Sequence, residues 1–338
     1  MATFLICLVL AFVLGFAAHR ASICMVRAVA EIQHARTGYM AASIGKTILW
    51  IVLVTLPVFW LTESSGPYLG GWQLTAWAVA GGFLFGAGAG INGACAYSTM
   101  TRLMDGEGRM AATVIGFTMG IVAFTMLIDA GRIAAPIPAQ PDVDRLVDWA
   151  AFIVVGLGVL AAYEMLRLWR SRPKDASVAS LILARQYRLS TAALLIGLAG
   201  ATIFLLFGSA GYTSTFEVVI QGLFGKTAPA TGRWLLLLAV LAGMLTSSLE
   251  RRSFSLDVRP RPDWLRHIGG GALMGMGTAL APGGNDVLVL YAIPVLSPHA
   301  LPAFAAMAIG VVAGLLVMRR AFGVEMRVSC RNDTYVSG

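Results

Sequence analysis

Nine stretches of the chain run without Asp, Glu, Lys or Arg over lengths that cross, or nearly cross, a bilayer. They are Ala2–Ala18, Thr47–Thr62, Ser64–Thr101, Met110–Ile128, Trp149–Tyr163, Leu189–Phe216, Trp234–Leu249, Ile268–Asn285 and Val287–Met318. A hydrocarbon core roughly 30 Å thick takes about 20 apolar residues of helix. The pattern therefore predicts an all-α polytopic membrane protein of nine spans, the longest runs holding a span plus irregular backbone. The first run reads as a retained span and not a cleaved signal, because no basic residue precedes it and Arg20 follows directly.

Charge then orients the spans. With 58% hydrophobic and 12% charged residues, the chain has too little polar surface to coat a soluble globule of 338 residues. Its net charge of +8 sits in alternate connections. Arg20, Arg27 and Arg36 fall in one, Arg102 and Arg109 in the next, then Arg167, Arg170, Arg172, Lys174, Arg185 and Arg188. Arg251, Arg252, Arg259, Arg261 and Arg266 follow, and Arg319, Arg320 and Arg327 close the series. The intervening connections carry Glu63, then Asp142, Asp144 and Asp148 beside Arg132 and Arg145, then Glu217 and Lys226, then Asp286. The excess of basic residues on cytoplasmic loops places the N-terminus outside and the C-terminus inside a bacterial inner membrane. The charge is a topology signal and implies no nucleic acid. The basic insertion divides the chain into a membrane half at 1–165, a cytoplasmic linker at 166–189, a second half at 190–320 and a tail at 321–338. Cys7, Cys24, Cys95 and Cys330 form no Cys-x-x-Cys and have no clustered histidines, so no metal site, redox pair or cofactor is expected.

Two glycine-rich stretches repeat across that division. Gly82, Gly86 and Gly88 match Gly271, Gly275 and Gly277, each 189 residues further on. The first stretch closes on Gly93-Ala94-Cys95 and the second on Pro282-Gly283-Gly284-Asn285-Asp286. Unwound backbone at membrane depth survives only where it is buried in protein or lines a cavity. Matching breaks in two halves of opposite topology mark the central site of a transporter, so an inverted repeat of broken or re-entrant segments is predicted. Small residues at helix interfaces would give similar glycine spacing, but both copies end on polar or reactive groups, which favours a site. A weaker echo relates Arg20-Ala21-Ser22-Ile23-Cys24 to Arg251-Arg252-Ser253-Phe254-Ser255; it is either chance or a shared way of ending a span.

The breaks hold the candidate chemistry. Cys24 and Cys95 each lie beside flexible backbone and near arginine, where a thiol could meet an anion or a soft sulfur atom. Cys7 in mid-span reads as a small buried hydrophobe, and Cys330 as incidental. The expected substrate-binding set is Cys24, Cys95, Ser22, Gly93, Gly283, Gly284, Asn285 and Asp286, with Arg20 and Arg102 drawing the anion to the cytoplasmic mouth. Asn285 offers an amide, exposed backbone amides and half-helix N-termini supply partial positive charge, and Asp286 is an intramembrane ionisable candidate. No Gly-x-x-x-x-Gly-Lys-Ser/Thr is present, which argues against ATP-driven transport by this chain alone.

These residues carry a family resemblance. Gly15-Phe16, Arg20-Ala21-Ser22-Ile23-Cys24-Met25, Gly86-Ala87-Gly88 through Gly93-Ala94-Cys95, and the late Gly270–Ala281 run resemble the YeeE/YedE sulphur-transport family, over about 15–314. The resemblance implies a polytopic inner-membrane permease of the thiosulfate-uptake type, in which Cys24 and Cys95 would pass the anion along by transient hydrogen bonds to its sulfur. One departure stands out: where the family usually has Gly-Gly-Cys-Thr-Ser-Gly, this chain has Gly283-Gly284-Asn285-Asp286. The third thiol is missing, which leaves a related sulfur species or another small anion open as substrate. The reading is a non-enzymatic permease for a small sulfur-containing anion, with membrane lipid around it and a soluble sulfur-carrier protein as candidate cytoplasmic partner. One rival is a membrane-embedded thiol redox or sulfur-transferase enzyme using Cys95 as nucleophile, although no His lies near either cysteine in sequence. The other is a non-transporting anchor for a soluble sulfur-handling protein.

Overall fold

The computed structural model describes residues 2–62, 71–139, 143–170, 184–227, 231–259 and 261–336. Glu63, Asp142, Arg172, Lys174 and most of the expected linker lie outside the described residues, as do the side chains of Asp144 and Asp148. The rest is almost wholly helical. In chain order the helices are α1 (Ala2–Ala21), α2 (Met25–His34), α3 (Tyr39–Thr62), α4 (Ala76–Asn92), α5 (Ala96–Met104), α6 (Arg109–Asp129) and α7 (Val143–Arg170). They continue as α8 (Leu189–Phe207), α9 (Tyr212–Leu223), α10 (Thr231–Arg251), α11 (Trp264–Leu280) and α12 (Ala300–Phe322). A short helical segment, Asn285–Val287 running into a π-helical turn at Leu288–Ala292, lies between the last two.

Among the described residues, eight segments are long and apolar enough to cross a membrane. The expected ninth is α11, whose 17 residues rise about 25 Å at 1.5 Å per residue. It is shorter because the chain breaks at its end, which is also why the Ile268–Asn285 run ends where it does.

Helix pairing shows an internal exchange symmetry. The dominant contacts are α4 with α12, α6 with α11, α1 with α10 and α3 with α8, together with α4 against α11 and α1 against α8. Swapping α1, α3, α4 and α6 for α8, α10, α11 and α12 returns the same set of pairs. The repeated glycines make those pairings possible. A methyl group at Gly82 or Gly86 would overlap the Ala303 or Met307 carbonyl of α12. One at Gly271 or Gly275 would overlap the Thr113 or Phe117 carbonyl of α6. Gly88 and Gly277 face the α4–α11 crossing in the same way. These six glycines are therefore packing residues, as the interface reading allowed, and the site begins just beyond them. Helix α7 stands apart: it packs chiefly on α3 and leaves Phe152, Val155, Val159, Tyr163 and Trp169 exposed, as lipid contact requires.

The connections collect on two faces. On one, Arg20 meets Glu250, Arg109 approaches Asp263, and the 105–108 turn pairs with Ser255 and Asp257 through backbone hydrogen bonds. A C-terminal hairpin, β3 (Ser329–Arg331) with β4 (Thr334–Val336), closes on this face, with Asp333 accepting from Ser190 and Arg27 stacked over Tyr335. On the other face, Gly71-Trp72 pairs with Pro138-Ala139, Trp72 bonds to Ser297, and Lys226 meets Asp129. Arg251-Arg252 echoes Ala21-Ser22 only in how a helix ends: Arg252 and Ser22 both take a left-handed φ, 56° and 55°.

Candidate functional site

Four helices break, not two. Each long helix α1, α4, α8 and α11 is followed by a short helical piece, and each gap holds a left-handed residue. These are Ser22 (φ 55°), Gly93 (φ 73°), Gly208 (φ 90°) and Gly283 (φ 137°). Gly93 ends α4 as a left-handed cap, its N–H returning to Ala89 and Gly90, a position where a side chain is strained and glycine is not. The Leu189–Phe216 run holds the break that the sequence reading left unassigned, at Gly208–Gly211.

Each half ties its own two breaks together. In the first, Cys24 is the N-cap of α2 and Cys95 the N-cap of α5. The Cys95 N–H donates to the Cys24 Sγ at 3.5 Å, and both residues are buried, at 1% and 0% exposure. Both are free thiols. In the second half, the Asp286 carboxylate takes the Thr213 hydroxyl at 2.5 Å and the Thr213 N–H at 3.1 Å, while the Gly284 N–H donates to the Thr213 hydroxyl at 3.2 Å. Thr213 opens α9, so Asp286 also neutralises that helix N-terminus. Asp286 is 4% exposed, and these donors offset part of the cost of burying it.

Between the halves lies a small cavity of about 60 Å³. Its lining includes Cys24, Tyr97, Asn285, Asp286 and Thr47 against apolar walls from Ile44, Val289 and Phe304. At roughly 15 Å³ per water position, it has room for a few waters or one small ion. Two buried polar atoms in this wall lack a protein partner: the Tyr97 hydroxyl and Asn285 Oδ1. The phenol is a donor, and a half-turn of the Asn285 amide offers its NH2 instead. Buried polar atoms are normally bonded, so these two mark where a polar guest would sit.

The structure thus brings Cys24, Asn285 and Asp286 into one cavity wall, with Cys95 bonded to Cys24 but outside that lining, and with Gly93, Gly283 and Gly284 shaping the breaks that deliver them. Ser22 sets the turn before Cys24, its carbonyl accepting from Arg27, and does not line the cavity. Arg20 and Arg102 are placed elsewhere. Arg20 is buried beneath Phe16, bonding Ser247, the Ala184 carbonyl and Glu250. Arg102 is held bidentate by Glu107, which Arg109 also contacts.

Residues that the sequence reading missed complete the frame. Asn92, buried at the end of α4, donates to the Ala94 carbonyl and the Thr99 hydroxyl, and its Oδ1 accepts from Thr113 and from His267 Nδ1 at 2.6 Å. One amide thus pins the Cys95 break to α6 and α11. Their signal was faint, since single Thr, Asn and His residues in apolar helices resemble ordinary packing until their partners are known. On the basic face, Asp105 gathers His19, Ser248 and Ser253 onto one oxygen. Burial alone would raise its carboxyl, but these donors outweigh it and hold the group below its ordinary range.

Two larger cavities flank the central one. One of about 300 Å³, lined by His34, Arg36, Arg319 and Glu325, opens on the basic face, and one of about 370 Å³ on the opposite face is lined by Trp72, Gly208, Arg233, Tyr291 and His299.

A bundle of apolar crossing helices, interrupted at four points that converge on buried polar groups, defines a multi-pass membrane transport protein. The chain belongs to the sulphur transport (YeeE/YedE) family, whose sequence model matches residues 20–313, from Arg20 before the first break to the last turns of α12. A search of curated proteins found no match.

Proposed function

We propose that this chain is a permease carrying a small sulfur-containing anion of the thiosulfate type through the constriction between Cys24 and Asn285. The observation that supports this most directly is the pairing of unlike groups across one cavity. The first half presents the Cys24 thiol, a soft contact for a sulfur atom, beside the Tyr97 hydroxyl; the second half presents the Asn285 amide, a hard donor for oxygen. Thiosulfate carries one soft sulfur and three hard oxygens, so it matches such a passage in a fixed orientation. Cavities on both faces, separated by the four breaks, fit alternating access to a central site.

The basic face is assigned to the cytoplasm of a bacterial inner membrane, with the N-terminus outside. Reporter fusions at Arg170 and Asp144 test this: Arg170 reads cytoplasmic and Asp144 periplasmic, and the reverse pattern inverts the assignment. Uptake of radiolabelled thiosulfate into proteoliposomes tests the permease reading, and absence of uptake in either direction would sink it. A thiol redox role is the second reading, supported by the contact of Cys95 with Cys24. Turnover of a sulfur compound without net accumulation in the vesicles would favour it.

A further inference from the structure

We propose that the cavity of about 370 Å³ on the face opposite the basic connections is a separate capture site for small dianionic oxyanions, built around Arg233 and His299. This deepens the permease reading by adding a first station before the thiols, one that recognises oxygen and not sulfur.

The site is built from groups that keep hydrogen-bonding capacity unspent. His299 caps α12 and is fully buried, at 0% exposure. Its Nδ1 lies 2.8 Å from the Ser297 hydroxyl, and that hydroxyl already accepts the Trp72 N–H at 2.9 Å. With Trp72 on one lone pair, the hydroxyl proton is free to turn to Nδ1, which puts the ring hydrogen on Nε2. Nε2 is buried and makes no hydrogen bond. Buried polar atoms are normally bonded, and the ring forms part of the wall of a cavity large enough for a hydrated ion.

Arg233, on α10, supplies the charge. It lines the same cavity and makes no ion pair among the described residues. The nearest acid acting on it is Glu217 of α9, whose carboxylate is taken up by the Gln221 amide at 3.1 Å. The other ion pair on this face, Lys226 with Asp129, is self-contained. A guanidinium binds two oxygens of a tetrahedral oxyanion at once, and an imidazole N–H can take a third.

The position suits capture. The segment Asn285–Ala292 separates this cavity from the central one: Val287 and Tyr291 face the first, while Asp286, Val289 and Leu290 face the second. Because the capture groups are all hard donors, this station holds sulfate and thiosulfate alike, and discrimination by sulfur is left to the thiols.

The test is sulfate binding to the purified full-length protein by isothermal titration calorimetry, with thiosulfate as competitor and no transport measurement. Sulfate should bind, thiosulfate should displace it competitively, and Arg233→Gln should weaken it about tenfold or more. Arg233→Lys should retain part of the affinity, and His299→Phe should lower it while leaving the Arg233 contribution. Thermal unfolding without anion checks that each variant is folded. Unchanged sulfate affinity in folded Arg233→Gln overturns the proposal. So does loss of sulfate binding in Cys24→Ser with Arg233→Gln unaffected, which would move the anion to the central cavity. Failure of the permease reading appears separately, as absent uptake with sulfate binding intact.

Discussion

The backbone N–H of Cys95 points at the sulfur of Cys24 from 3.5 Å away. Two helix breaks, 71 residues apart in the chain, are thereby joined at a thiol. A sulfur atom that accepts from an amide at the start of its own helix is held in place, and the cavity wall is set by that placement. In the second half, Thr213 and Asp286 are joined in the equivalent way, with oxygen where the first half has sulfur.

Cys24→Ser and Cys95→Ser should each cut thiosulfate uptake sharply while costing no more than about 1–2 kcal/mol of stability. Cys7→Ser and Cys330→Ser should leave uptake largely intact. Cys330 is a useful control because burial, with the Glu31 carboxylate beside it, pushes its thiol up to about 12, so it stays protonated. Equal uptake in all four variants would return the central cysteines to a packing role.

Removing the Asn285 amide should change selectivity more than stability. Asn285→Ala removes a polar group that has no protein partner for its oxygen, so little folding energy is at stake. Competition among thiosulfate, sulfite, sulfate and sulfide is the measurement. Oxyanions should compete well in the native protein and less well in the variant, and unchanged selectivity would make this break structural.

Asn92→Ala should be among the most destabilising single substitutions in the bundle, by about 2–4 kcal/mol, because it strands the Thr113 hydroxyl and the His267 ring in a buried setting. Thermal unfolding in detergent gives the value. A loss below about 1 kcal/mol would show that these groups find water instead.

Gly86→Ala should destabilise by about 1–3 kcal/mol or more, since its methyl group meets the Met307 carbonyl. Gly156→Ala on α7, where nothing lies within 4 Å, should be neutral or slightly stabilising. Comparing the two by unfolding temperature separates packing from helix propensity.

Acid should loosen the basic face through Asp105. Its carboxyl is held below the ordinary value in the folded protein, burial being outweighed by His19, Ser253 and Ser248. A depressed folded value means the stabilisation is full above the unfolded value, near 3.9, and is lost as pH falls through the folded one. The unfolding temperature should therefore drop as pH falls below about 4, and Asp105→Asn should flatten that drop. An identical pH profile in the variant would place the acid sensitivity elsewhere.

The long apolar runs and the alternation of basic connections carried most of the architecture, because lipid demands uninterrupted apolar helix and leaves charge only at its ends. The Cys24 and Cys95 breaks were readable for the same reason: glycine and serine beside a thiol are conspicuous in an otherwise aliphatic stretch. Gly82 and Gly86 were conspicuous too, but a close helix crossing and an unwound turn both call for glycine, and only the contact with α12 tells them apart. Thr213 and Asn92 were hidden because a polar side chain inside a helix acquires meaning from a partner 73 or 175 residues away. Arg20 seemed free to draw an anion because its partners, Ser247 and Glu250, come from the far half of the chain.

Helix α7 contributes nothing to any of the three cavities, yet the arrangement depends on it. Four crossing helices in each half is an even number, so halves joined directly would enter the membrane in the same sense. The added crossing makes the count odd and turns the second half upside down against the first. A gene encoding one half alone would meet the same geometric demand only by inserting its product both ways up and pairing the two. In a single chain, α7 acts as a parity bit. It lets the two halves differ in sequence, as Cys24 and Asn285 do in the wall of one cavity, which two identical copies could not do.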